Sequence, residues 1–182
     1  MPTQKKHTEK PILLWKSMQA GMKSSKGNIK WEVGKWEKCE SVSMCNSGFH
    51  ASERMIDAMK YINCEVLAQV EVRGKSEIGS DKQVWSEMRI VKAWEWGKVA
   101  SVRLAIFVAE QVIGIYEKEY PNDDRPRKTI EVAKKWLEHP TAKTAYAASA
   151  AASAAAEAGF EILSKCERYV IKEILPTLEK IK

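Results

Sequence analysis

Glu65-Val66-Leu67-Ala68-Gln69-Val70-Glu71-Val72 decides the class of fold, because β-branched and apolar residues stand there in near alternation and Gly74 follows as a stop. That spacing predicts a half-buried strand. Trp85 to Trp96, with Met88, Ile90 and Val91, reads as a second strand. Upstream, Cys45-Asn46-Ser47-Gly48-Phe49-His50-Ala51-Ser52 reads as a turn that ends in a histidine-bearing strand. Ser52 is placed to cap a helix whose apolar series is Met55, Ile56, Met59 and Ile62, with Glu53 and Asp57 toward its positive end. The order is turn, strand, helix, strand, strand.

After Gly97 the period lengthens. Val99, Val102, Ile106, Ala109, Val112, Ile113 and Tyr116 recur every three or four residues, which predicts a long, largely buried helix. Tyr120-Pro121-Asn122-Asp123-Asp124-Arg125-Pro126-Arg127 ends it, since proline disfavours helical geometry before itself and Asn and Asp favour turns. Asp123 or Asp124 then caps a helix running to Trp136 and Leu137 and stopping near Pro140. From Ala142 to Ala158, eleven of seventeen residues are alanine, the best helix former and small enough for close helix approach. This segment reads either as an oligomer seam or as a solvated helix with a Ser149, Ser153, Glu157 face. The apolar stripe resumes at Phe160 and runs to Pro176. The fold class is therefore α+β: a small antiparallel or mixed sheet with helices, then a C-terminal helical hairpin or bundle. The boundaries are 1–97 and 98–182, and six of the seven tryptophans precede Gly97.

A chain of 182 residues makes one medium domain or two small ones. Thirty basic residues against 24 acidic give a net charge of +6, spread as +4 over residues 1–97 and +2 over the rest. No basic stripe is concentrated, so nucleic acid ranks low as a partner and a small anion ranks higher. No apolar run approaches the roughly 20 residues of a membrane span, and Met1–Lys10 is polar, which points to a cytosolic protein. Cys39, Cys45, Cys64 and Cys166 lack zinc spacing and read as reduced, mostly buried thiols, so no metal or other cofactor is expected.

Gly34-Lys35-Trp36, Cys45, Gly48-Phe49-His50-Ala51 and Val70-Glu71-Val72-Arg73-Gly74 together resemble a domain of unknown function widespread in phage and prophage proteins, over about residues 18 to 97. Leu104 to Val112, the Tyr120–Arg127 block and the alanine-rich segment resemble a helical segment of proteins described as immunity proteins, often fused to that domain in phages. Where relatives carry cysteine after the His-Ala pair, this chain has Ser52. The resemblance implies a phage setting, the cytoplasm of an infected bacterium and a two-part architecture, with no activity attached.

The residues themselves suggest a ligand site. His50 and the N–H groups from Ser52 to Arg54 are placed to face one anionic group, or else His50 is held by backbone as a structural residue. Arg54, Arg73 and Arg89 offer bidentate phosphate contacts, and Arg125 and Arg127 form a second candidate beside Asp123 and Asp124. Trp36, Trp94 and Trp96 stand as core or as base-stacking platforms. No catalytic set is expected. The leading reading is a non-enzymatic, homo-oligomeric protein that sequesters a nucleotide immune signal, a cyclic dinucleotide or an ADP-ribose derivative. An ADP-ribosyl-transfer enzyme using His50 with Glu71 or Glu87, and a protein-binding inhibitor of a host factor, are the alternatives.

Overall fold

The structure, a computed structural model, describes residues 11–27, 29–139 and 160–182. The chain divides into two units: residues up to Ala93 together with Lys180–Lys182, and Trp94–Glu179. The class is α+β, with an antiparallel six-stranded sheet and C-terminal helices.

In the first unit, β1 (Ile12–Met18), β4 (Val66–Ile78), β5 (Gln83–Glu95) and β2 (Trp36–Lys38) lie in the order β1-β4-β5-β2. Strand β3 (Phe49–Ala51) and strand β6 (Lys180–Ile181) also pair with β5. Neither β1 nor β2 is marked by a strand pattern in the sequence. Beyond β3, the N–H of Trp15 donates to Ser52 O at 2.7 Å and the N–H of Ser52 to Trp15 O at 2.8 Å. These two bonds close a ring of strands, β1-β4-β5-β3-β1. The ring encloses Leu14, Met18, Trp31, Phe49, Val66, Ala68, Val70, Val72, Met88 and Ile90, all buried, with Trp31 edge-on to Phe49 at 5.2 Å. Burying this set removes apolar surface from water, the main source of stability for the unit.

Strand β4 passes through Gly74 instead of ending there. Gly74 adopts φ +88, where a Cβ would lie 2.3 Å from Ser86 Oγ, and that hydroxyl accepts the N–H of Lys75. Glycine thus makes room for the Ser86 side chain and lets the strand continue to the turn at Gly79. Helix α1 (Met55–Met59) is only five residues long, and the residue before it is Arg54. The backbone of Ser52 is still paired with Trp15 in the sheet and the N-cap position falls two residues later, at Arg54, so Ser52 does not cap α1. This corrects the expected strand-to-helix corner: its free N–H groups do not gather around Ser52.

In the second unit, α2 (Lys98–Glu119) and α3 (Arg125–Glu138) pack through Val102, Ile106, Ala109, Ile130, Ala133 and Trp136. The turn between them is held by Asp123, which accepts the Tyr116 hydroxyl at 2.7 Å and the N–H of Arg125 at 3.1 Å. Asp124 is the N-cap by position, with no side-chain cap bond, and Pro126 stands in the first turn, where its missing N–H costs nothing. Helix α4 (Phe160–Tyr169) leads into one π turn (Val170–Ile174) and a 3-10 turn (Leu175–Thr177) ahead of β6. Phe107 stacks on Tyr169 at 4.1 Å. By length and composition α2 is apolar enough to cross a membrane, contrary to the expectation that no run is. Six of its residues are buried, while Val99 and Ile115 are exposed, so it is less buried than its stripe suggested. The alanine-rich segment lies outside the described residues.

Candidate functional site

Successive residues of a strand point to opposite faces, so Leu14, Lys16 and Met18 form one row. Across the ladder this row meets Val70, Ala68 and Val66 in turn, which places a lysine in the buried stripe of β1. Ala68, directly opposite, carries too little side chain to crowd it. Lys16 Nζ donates to His50 O at 2.9 Å and lies 5.3 Å from the centre of the Trp31 ring. Among the described residues no carboxylate pairs with it. Burial pushes the Lys16 ammonium down from 10.5 to about 8.

Lys16 lines a cleft of about 490 Å³. Its walls come from β1, the loop around Lys26, the Cys45–Ser52 segment, the residues after α1 and Lys82. Three lysines, one histidine and five serines line it, and no Asp or Glu does among the described residues. Trp15 and Tyr61 supply aromatic surface. Lys82 Nζ stands 3.1 Å from Cys45 Sγ and 4.2 Å from the centre of the Tyr61 ring. The Tyr61 hydroxyl donates to Asp81, which with burial pushes it up to about 12, so the phenol stays neutral at physiological pH.

His50 is held by its own turn. Its Nε2 accepts the N–H of Cys45 at 3.0 Å, and Cys45 sits at φ +66, a conformation that non-glycine residues rarely adopt. Burial, then the charges of Lys16 and Lys82, lower its pKa below 6.5, so the ring is neutral at pH 7. A neutral ring with Nε2 accepting carries its proton on Nδ1. Because the folded-state value is depressed, the neutral ring's contribution is present above about 6.5 and is lost as pH falls below it. Thermal unfolding at about pH 5 and 7 is expected to show this loss, and His50→Gln, which keeps an acceptor on the side chain, to flatten it.

The other candidates are distributed as follows. Arg54 pairs with buried Asp57 at 2.6 Å, and Ser52 is 2% exposed. The structure brings Trp36, Arg73 and Arg89 together: Trp36 stands opposite Arg89 in the ladder, and the guanidinium carbons lie 3.9 and 5.0 Å from the ring centre. Arg73 is bound to Glu87 and Arg89 to Glu71, and none of these five residues lines the cleft. Trp94 and Trp96 are 6% and 3% exposed and the Trp96 indole donates to Ser101, so as placed they are packed and not open for stacking. Arg125 is bound to Asp123 and Arg127 to Glu117. Of the thiols only Cys166 is buried, while Cys45 is exposed, against the expectation of mostly buried cysteines. No metal-ligating cluster occurs among the described residues.

The cleft lysines Lys16, Lys26 and Lys82 are not among the residues expected from the sequence. For Lys16 the signal was present: Leu14, Lys16 and Met18 share parity, and a lysine in an apolar row is unusual enough to mark. Fold and cleft define an α+β protein whose sheet is curled into a ring over a lysine-lined cavity. Residues 12–102, half of the chain, match the family model described as Domain of unknown function (DUF7666), and the chain belongs to that family. Residues 81–168 match the model described as Imm-5 like putative immunity protein, which gives the chain an immunity-protein-like segment. The two matches share residues 81–102, which hold β5 and the start of α2. No curated protein and no solved structure matches the chain.

Proposed function

We propose that the protein acts in immunity or counter-immunity by capturing a small phosphate-bearing anion, a nucleotide signal, in the cleft of its first unit. The observation that carries this reading is Lys16, half-buried in an apolar row with no carboxylate partner among the described residues, at a cleft lined by two further lysines and no acid. A cation is costly to bury unless something anionic pairs with it, and a phosphate supplies that partner. Trp15 and Tyr61 offer stacking surface for a base. The match to an immunity-protein model supports the biological setting. Capture needs affinity alone, with the protein in excess over the signal. In this reading the protein works as a homo-oligomer in the cytoplasm of a phage-infected bacterium, and light scattering tests the first of these.

Calorimetry against cyclic dinucleotides and ADP-ribose derivatives is the test. Micromolar or tighter binding by one of them is expected, weakened at least about tenfold by Lys16→Gln, as a lost charge-assisted contact implies. Absence of heat with every member at micromolar protein overturns the reading.

A further inference from the structure

Strand β4 outruns its neighbour on one side. Strand β1 pairs with residues 66–72 and begins at Ile12, opposite Val72, so among the described residues no strand pairs with that side of residues 73–78. All six of them are exposed, Ile78 to 60%. The N–H groups of Lys75 and Gly79 turn toward β5, to Ser86 Oγ and Lys82 O, so alternation turns those of Ser76 and Ile78 to the open side. An open edge of this kind is a template for another strand. From this geometry we infer that the protein forms a two-fold dimer in which residues 73–78 of two copies pair antiparallel about Ser76, joining the two sheets edge to edge.

Charge chooses the register. A two-fold axis at Ser76 sets Lys75 against the partner's Glu77 and Glu77 against the partner's Lys75, whereas an axis at Lys75 or at Glu77 sets like charges against each other. Ser76, which meets its own copy on the axis, is small. Ile78 falls opposite the partner's Gly74, where no side chain stands in its way, and Arg73 falls opposite the partner's Gly79. The next position, Val72, is already taken by Ile12, so the gap along β4 is as long as the pairing needs. None of residues 73–78 lines the cleft, so the dimer does not depend on anion capture, and it gives the proposed homo-oligomer its contact surface. A pairing of six residues a side is a small interface, which sets the dissociation constant at about 10 to 100 μM.

Sedimentation velocity of the full chain, from micromolar to millimolar concentration, is the test. The parent is expected to pass from monomer to dimer. Lys75→Glu and Glu77→Lys each set like charges against each other across the axis, and each alone is expected to weaken the dimer about tenfold. Mixed in equal amounts, the two variants oppose unlike charges again, and the mixed dimer is expected to regain the affinity of the parent. Glu77 also accepts the Met44 N–H at 2.8 Å, and the mixture separates that local loss from the contact between copies. Ser76→Pro removes an N–H from the open side and is expected to abolish the dimer with the circular dichroism unchanged. A parent that stays monomeric overturns the inference. So does a dimer that the charge variants or Ser76→Pro leave as tight as the parent, which puts the contact elsewhere, and so does a mixture that regains nothing. Calorimetry with the nucleotides reads anion capture separately, so either proposal can fail alone.

Discussion

Lys16→Met is expected to raise the melting temperature while removing anion binding. Methionine keeps an unbranched side chain between Leu14 and Met18 and discards the buried charge. Lowering the ammonium from 10.5 to about 8 corresponds to roughly 3 kcal/mol of unfavourable burial at neutral pH. The lost bond to His50 O gives back about 1 to 2 kcal/mol, so the net gain is about 1 to 2 kcal/mol. The sign has a pH signature. Below about 8 the group is charged in folded and unfolded chains alike and the full cost is present. Between about 8 and 10.5 the folded chain gives up its proton first, so the stability of the parent climbs and the two proteins converge. Anion affinity of the parent should fall over the same rise in pH, as the ammonium that holds the anion disappears. Thermal unfolding and calorimetry at about pH 7 and 9 check both halves. A Lys16→Met protein less stable than the parent at neutral pH would show that the lysine is structural and not a buried charge kept for a ligand.

Gly48→Ala is expected to cost about 2 to 4 kcal/mol. Gly48 has φ +96, a region that charges an L side chain about 1 to 2 kcal/mol by itself. A Cβ there would also stand 2.6 Å from Val84 Cγ2, closer than real Cβ atoms come, and a tight 3.3 Å from Trp85 O, so β3 would be pushed off β5 at an overpacking cost of about 1 to 3 kcal/mol. Gly34→Ala is the control: its φ is +83, but nothing lies within 4 Å, so only the backbone part remains. The double variant Gly48→Ala with Val84→Ala should recover part of the overlap and none of the backbone strain. Denaturant unfolding of the four proteins separates the two contributions. Because Gly48 also sets the turn that aims the His50 carbonyl at Lys16, any folded fraction of Gly48→Ala should bind anions weakly.

The elements with long, regular periodicity were legible: the alternation of 65–72 marks β4, the three-to-four spacing from Val99 marks α2, and the Tyr120–Arg127 block marks the turn before α3. What escaped depends on pairing between distant residues. Ser52 has the chemistry of a cap, and only the presence of Trp15 across the ring turns its backbone to a bridge. Strand β1 carries a lysine in its apolar row, which breaks the alternation that a strand is recognised by. The arginines were visible as residues, yet their carboxylate partners come from neighbouring strands and are fixed by register, as with Glu87 for Arg73 and Glu71 for Arg89. The proposed anion site rests on lysines instead of arginines and a helix end for that reason: ion pairs inside the sheet occupy the arginines, and the three cleft lysines form no ion pair among the described residues.

Strand β6 comes from the last residues of the chain and pairs with β5, the strand that leads into α2. Topologically, then, everything from α2 to the 3-10 turn is an insertion between two hydrogen-bonded partners of one sheet, not an appendage to it. At its two ends the N–H of Glu95 donates to Glu179 O at 3.0 Å, so the loop is cinched where it leaves and returns. Such an insert can be lengthened, shortened or exchanged during descent without touching the order of the strands, provided both ends come back to that cinch. Cutting the chain after Gly97 would do the opposite, stripping β5 of a partner and leaving exposed backbone ready to pair with a second copy.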